Sequence, residues 1–232
     1  MKAELDVSEL PILMCAEMVR HTLSGRKTKT RRIQALTAKT VHTAAQRKIG
    51  FEFNAELARP SWFLGTPRLV VPERHPDDTH IPWSDCGCAI LYCPYGRKGD
   101  RLWVKETFAV DVPGCELQGG LSYRADHVDP AGDGPARPML WKPSIFMARR
   151  QSRISLEIVS VDIQRLQEIT EADARAEGCA GGNGSIPGYR FSATPLEHFQ
   201  HVWKELNAAR GFGWDVNPWV WVIEFKRITS AT

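Results

Sequence analysis

Lys27 and Thr30 stand three residues apart in the segment GRKTKTRR, residues 25–32. A threonine hydroxyl is a weak nucleophile until a base takes its proton. A lysine crowded by cations has reason to give up its own proton near neutral pH, because like charges disfavour the ammonium. Arg26, Lys29, Arg31 and Arg32 supply that crowd. A lysine base beside a threonine nucleophile is therefore sensible chemistry here. The spacing alone does not single it out, since Lys-x-x-Thr arises by chance in most chains. Both residues fall at the exit of an expected helix rather than in a core stripe, so replacing them is expected to leave the fold intact.

The segment belongs to a longer basic run. From Met18 to Phe51 there is no Asp or Glu, while Arg20, Lys39, Arg47 and Lys48 join the cations already named. Arg149, Arg150 and Arg153 form a second cluster. Local positive fields of this kind attract phosphates, although a solvated basic face has the same composition. The net charge of only +3 conceals this unevenness.

Cys86, Cys88 and Cys93 form a C-x-C-x4-C cluster. A structural zinc site wants four ligands, commonly from paired knuckles. The fourth is not evident, with Cys115, His80 and His75 all available. His198 and His201 fall i, i+3 on a helix but lack a third ligand. The reading is reduced thiols, no metal and no cofactor.

These residues need elements to hold them. Met14, Met18, Val19 and Leu23 recur at helical spacing before Gly25, which predicts a helix over 16–24 and then a strand over 29–34. A helix near 38–48 and a strand near 88–93 are expected within a Pro-rich stretch. DRLWVKET reads as a strand after the PYGRKGD turn, with a short piece from Leu121 to Arg124. Ile154, Leu156, Ile158 and Val159 suggest a buried strand. Thr170 caps a helix over 170–178, with Asp173 completing an imperfect capping box and Gly178 as the stop. Residues 181–188 are a Gly-rich loop, and Pro195 opens a helix to Asn207. In the last strand Trp219, Trp221, Ile223 and Phe225 share one face.

At 232 residues, 43% hydrophobic and 25% charged, the composition is that of a folded globular chain. No apolar run approaches the roughly 20 residues of a membrane span. The N-terminus lacks the apolar core of a signal peptide, so the expected location is the cytoplasm. There is no G-x-G-x-x-G after a strand, no phosphate-binding G-x4-G-K-[ST] and no G-x-S-x-G, which argues against the common nucleotide-cofactor and serine-hydrolase classes. Parallel βαβ units do not fit the spacing. Many short strands with few short helices predict an α+β fold around a small, mostly antiparallel barrel.

Three blocks carry a family resemblance: PILMCAEMVRHTLSGRKTKTRR, CPYGRKGDRLWVKET and NPWVWVIEFKRI. Together they resemble the ASCH family, whose domain is a PUA-like β-barrel, and in particular its longer members encoded by bacteriophages and prophages. GRKTKTRR is similar to that family's G-R-K-T-x-T-x-R signature. YRAD at 123–126, WKPSIFMARRQSRI at 141–154 and LQEITEADARAEG at 166–178 extend the likeness. The resemblance implies a single domain over 1–232 with flanking short helices, a large insertion at about 36–95 and a loop at about 181–194.

Some small bacterial ASCH proteins are amidohydrolases that remove the acetyl group from N4-acetylcytidine. Carried over by motif, their catalytic lysine, threonine and glutamate fall on Lys27, Thr30 and Glu177. The last of these closes a T-E-x-x-A-x-x-E segment that begins at Thr170. The resemblance then implies that Lys27 deprotonates Thr30, which attacks the acyl carbonyl, while Glu177 holds the lysine or the amine edge of the base. Arg26, Arg32, Trp103, Glu106, Lys142 and Ser144 are candidates for binding the substrate. Arg32 is suited to a carbonyl or phosphate and Trp103 to stacking a base.

The expected substrate is an acylated pyrimidine nucleoside. Two alternatives stay open. One is a module that binds RNA or single-stranded nucleic acid through the basic segment. The other is an ASCH-type ribonuclease. The enzyme reading requires Lys27, Thr30 and Glu177 to converge in one pocket.

Overall fold

A computed structural model of the chain describes residues 7–33, 51–53, 69–70, 83–84, 89–91, 93–110, 120–127 and 140–228. The expected helix near 38–48, and Lys39, Arg47, Lys48, Cys86 and Cys88, lie outside these.

The architecture is α+β. Its main sheet holds β1 (Glu9–Leu13), β7 (Arg101–Lys105), β10 (Ser155–Arg165), β11 (Trp219–Arg227) and β2 (Lys29–Ile33), in that order across the sheet. Every neighbouring pair is antiparallel except β1 with β7, which run parallel. So one parallel pair is present, although the sequence spacing argued against parallel units. A second sheet pairs β3 (Phe51–Phe53), β6 (Ala89–Leu91), β5 (Trp83–Ser84) and β4 (Leu69–Val70) in that order. A separate antiparallel pair is formed by β8 (Phe108–Val110) and β9 (Leu121–Tyr123).

Among the described residues no backbone pairing joins β1 to β2, so the expected barrel is not closed. The sheet is nevertheless rolled. Flat strands lie about 4.8 Å apart, which would put these edges four spacings from each other. Yet Arg32 Nη2 of β2 donates to the carbonyl of Leu13 at the end of β1. One arginine side chain spans that gap only if the sheet coils.

The rolled sheet is apolar on both faces. Against one face, α1 (Ala16–Leu23) packs Val19 onto Ile12, Leu102, Leu156, Trp221 and Ile223. Against the other, α2 (Glu171–Ala176) and α3 (Pro195–Asn207) pack Ala174, Phe199 and Trp203 onto Val220 and Val222. Strand β11 lies between β10 and β2 and buries residues on both its faces, not only the Trp–Ile–Phe face that its alternation advertises.

Strand β10 departs from simple alternation. Its register with β11 shifts between Ile158 and Ser160, and Val159 sits at the bulge, 36% exposed rather than buried as its sequence suggested. The extra residue reverses parity. Leu156 and Ile158 face the first core before the bulge, and Val161 and Ile163 face it afterwards. Gln164 is thereby turned to the opposite face, toward Arg31.

Candidate active site

Glu177 is placed by the end of α2. Thr170 caps the helix start, its hydroxyl accepting from the Asp173 N–H at 3.1 Å while Asp173 accepts in return. At the other end Gly178 takes φ +98°, and the Gly178 and Cys179 N–H groups donate to the carbonyls of Arg175 and Ala174. This is a Schellman closure, with Glu177 as the C-cap just past Ala176. A side chain at 178 would meet His21 Nδ1 at 2.6 Å, so glycine is required by space as well as by φ. The Thr28 N–H donates to the Ala176 carbonyl at 2.8 Å and ties the helix end to the approach to β2.

Lys27 then reaches back across this junction. Its Nζ donates to Glu177 Oε2 at 2.7 Å and to the Glu177 carbonyl at 2.9 Å, with both side chains buried. The ammonium serves as a carboxylate partner and as a cap on the helix C-terminus, where a cation suits the helix dipole. Arg31 adds Nη1 to Glu177 Oε1 at 3.4 Å and Nη2 to Asp173 Oδ2 at 3.1 Å. Lys29 Nζ takes Asp173 Oδ1 at 2.9 Å. The sequence offers Lys27 only cations as neighbours. The fold brings it two carboxylates from 146 or more residues away along the chain, directly or through Arg31 and Lys29.

Asp173 is held below the usual carboxylate range. Burial alone would raise its carboxyl, but the hydrogen bond from Lys29, the charges of Arg31 and Lys29, and the Thr170 N–H outweigh burial.

Thr30 lies on the other face of β2. In an antiparallel ladder directly paired residues share a face, so Thr30 goes with Ile223 and Arg32 with Trp221, while Lys29 and Arg31 go with Glu224 and Val222. Thr30 is buried, lines the same cleft as Lys27 and Glu177, and its hydroxyl makes no hydrogen bond among the described residues. Lys27 Nζ is committed to Glu177, and no hydrogen bond joins it to Thr30.

The cleft encloses about 440 Å³. Of the nine residues expected from sequence, Lys27, Thr30, Glu177, Arg32 and Ser144 line it. The other four lie off it. Arg26 is exposed and donates to Ser24 Oγ at 3.1 Å. Trp103 is on the face of β7 opposite the buried Leu102 and Val104, with the Lys105 ammonium 5.5 Å from its ring centre. Glu106 is 1% exposed and grips Arg153 through both oxygens, at 2.9 and 3.0 Å. Lys142 is exposed and pairs by its backbone with Phe108.

Several cleft residues escaped the sequence reading. Period-2 alternation over 29–33 separates Arg31 from Thr30, while Asp173, read from the sequence only as a cap, sits beside the cleft and outside its lining. Nothing local marks Tyr95, which lines the cleft with the Arg32 guanidinium 5.9 Å from its ring centre. Cys179 also lines it, but burial, then the Glu177 charge, push its thiol up to about 12. It is therefore no nucleophile near neutrality. Burial pushes the Cys93 thiol up to about 12 as well. Among the described residues no group of three or more His, Cys, Asp or Glu is placed to hold a metal, and no helix is long and apolar enough to cross a membrane.

No family model, curated protein or solved structure matches the chain. The geometry of the cleft and the motif resemblance therefore carry the functional argument.

Proposed function

We propose that this chain is an ASCH-type amidohydrolase that removes an acyl group from the exocyclic amine of a pyrimidine nucleoside, on a rolled sheet of PUA-like kind. The observation that carries the reading is one cleft holding a buried Lys27–Glu177 pair and, from the neighbouring strand, a threonine hydroxyl with no hydrogen-bond partner among the described residues.

The chemistry runs as follows. Substrate entry excludes water and weakens the hold of the medium on separated charges, so Lys27 passes a proton to Glu177 across their 2.7 Å contact. Neutral Lys27 takes the proton of Thr30 as Oγ1 bonds to the acyl carbon. Arg32, two residues along β2 on the same face as Thr30, stabilises the oxyanion. The carbon–nitrogen bond then breaks, and the leaving amine takes a proton from Lys27. Water attacks the threonine ester as Lys27 takes its proton, Lys27 passes that proton to the departing Thr30 Oγ1, and a carboxylic acid is released; Glu177 then returns its proton to Lys27. One amide and one water become one amine and one acid.

The nucleic-acid-binding alternative draws on the basic segment. Three of its cations, Lys27, Lys29 and Arg31, are ion-paired with Glu177 and Asp173, which lowers their pull on phosphates. A ribonuclease would use the same base on a ribose hydroxyl and would leave the Thr30 hydroxyl in the cleft without a role. Incubation of the purified chain with a panel of N4-acylcytidines, followed by chromatography, tests the reading. Cytidine should appear; its absence in a well-folded preparation overturns it.

A further inference from the structure

The cleft carries more positive charge than the proposed chemistry uses. Among the described residues four cations line it, Lys27, Arg31, Arg32 and Arg210, against one carboxylate, Glu177. Lys27 and Arg31 are ion-paired, with Glu177 and with Asp173 just outside the lining. Arg32 and Arg210 have no carboxylate partner among the described residues. An N4-acylcytidine is neutral. The charges its hydrolysis creates, on the oxyanion and then on the carboxylate product, both arise at the acyl carbon. One arginine answers them: Arg32 shares the face of Thr30, its Nη2 is held by the Leu13 carbonyl, and its buried Nε has no acceptor. Arg210 is left over.

Arg210 is exposed, yet it is positioned. Helix α3 ends at Asn207, and the chain continues in a single turn over Ala208–Arg210 that Gly211 closes at φ +83°. The buried Asn207 donates its amide to the Trp203 carbonyl at 3.2 Å, which fixes its oxygen to accept from Arg210 Nη1 at 3.3 Å. The Nε and Nη2 edge of the guanidinium makes no hydrogen bond among the described residues, and that edge matches two oxygens of a phosphate. A cation also suits the end of a helix dipole with no ligand present. That role does not require Arg210 to line the cleft.

We infer that the substrate is an acylated cytidine nucleotide whose ribose phosphate is held by Arg210, with Arg32 kept for the acyl carbon. The inference rests on the amidohydrolase reading. The phosphate is that of a mononucleotide. A strand needs cations in line along its backbone, and Lys29, Arg149 and Arg153, outside the cleft, are neutralised by Asp173, Glu9 and Glu106.

The test compares kcat/KM for N4-acetylcytidine, its 5′- and 3′-monophosphates, and an oligonucleotide with one internal N4-acetylcytidine, in the wild type, Arg210→Gln and Arg210→Lys. In the wild type one monophosphate should exceed the nucleoside by about tenfold or more. Arg210→Gln should bring that ratio to about one. Arg210→Lys should keep part of it, because the charge survives without the fork. Arg210 is exposed, so the variants should fold, which urea unfolding checks. Monophosphates no better than the nucleoside, a preference that Arg210→Gln does not move, or an oligonucleotide that outpaces both monophosphates overturns the phosphate site and leaves the amidohydrolase standing. Turnover of none of the four by folded wild type overturns both.

Discussion

Lys27 meets Glu177 twice, its ammonium 2.7 Å from a carboxylate oxygen and 2.9 Å from the backbone carbonyl of the same residue. One residue therefore serves the fold and the proposed chemistry together. The position at a helix exit suggested that Lys27 could be replaced without harm. At 3% exposure, with a buried carboxylate as partner, it cannot.

Removing the lysine alone should destabilise the protein. In Lys27→Met the Glu177 carboxylate keeps only the longer Arg31 contact of 3.4 Å, and the end of α2 loses its cation. Breaking one side of a buried pair costs about 3 kcal/mol or more, while replacing both sides with apolar groups is often near neutral. Urea unfolding should show Lys27→Met well below wild type and Lys27→Met/Glu177→Met recovering most of the loss. Lys27→Arg should stay folded but fail to deacylate, because a guanidinium does not act as a base near neutral pH.

The elements holding this site were largely legible in the sequence, and their partnerships were not. Helices α1 and α3 follow from apolar spacing and from Pro195, and α2 from Thr170 and Gly178, all local signals. Strand β11 follows from its alternating aromatics. The bulge at Val159 depends on the register β10 adopts with β11, which no local pattern encodes. Lys29 with Asp173, and Glu106 with Arg153, meet across 144 and 47 residues respectively. Composition shows such charges as free, and only folding pairs them. The same applies to the cleft, which draws Thr30 from an edge strand and Leu206 from the helix over the opposite face.

Asp173 should make stability sensitive to acid. Its folded carboxyl titrates below the usual value of about 4, because Lys29, Arg31 and the Thr170 N–H together outweigh burial. A depressed carboxylate contributes stability that is fully present above its unfolded pKa and is lost as pH falls through the folded one. The loss attributable to Asp173 should therefore begin near pH 4 and continue below it. Asp173→Asn should be less stable than wild type at pH 7, with the difference shrinking toward pH 3. A difference constant across that window, read by urea unfolding at each pH, would show that Lys29 and Arg31 do not act through the charge of Asp173.

Glu106 should prove structural. It is fully buried and holds Arg153 in a two-pronged pair away from the cleft, while Arg153 also takes Asp126 at 2.6 Å and lies 4.0 Å from the Tyr123 ring centre. Glu106→Gln keeps the shape and removes the charge, so it should cost about 2–3 kcal/mol of stability, discounted because Arg153 is partly exposed and retains Asp126. KM for the acylated nucleoside should not move. A raised KM without a loss of stability would return Glu106 to the substrate site.

Thr30 carries the most direct test of the mechanism. Its hydroxyl has no partner among the described residues, so removing it leaves no broken hydrogen bond behind. Thr30→Val preserves the branched shape that packs beside Ile223 on the sheet face. Any loss of activity in that variant therefore reports chemistry rather than folding. If Oγ1 is the nucleophile, kcat/KM for N4-acetylcytidine should drop by at least about 10³-fold while the urea midpoint stays close to wild type. Thr30→Ser should retain a measurable part, because the hydroxyl survives. Combining Thr30→Val with Lys27→Arg should cost little more than either alone, since both disable the same step. Rapid quenching of wild type with the acylated nucleoside should trap acyl label on Thr30. A folded Thr30→Val enzyme with wild-type turnover removes the covalent step and leaves Lys27 and Glu177 to activate water.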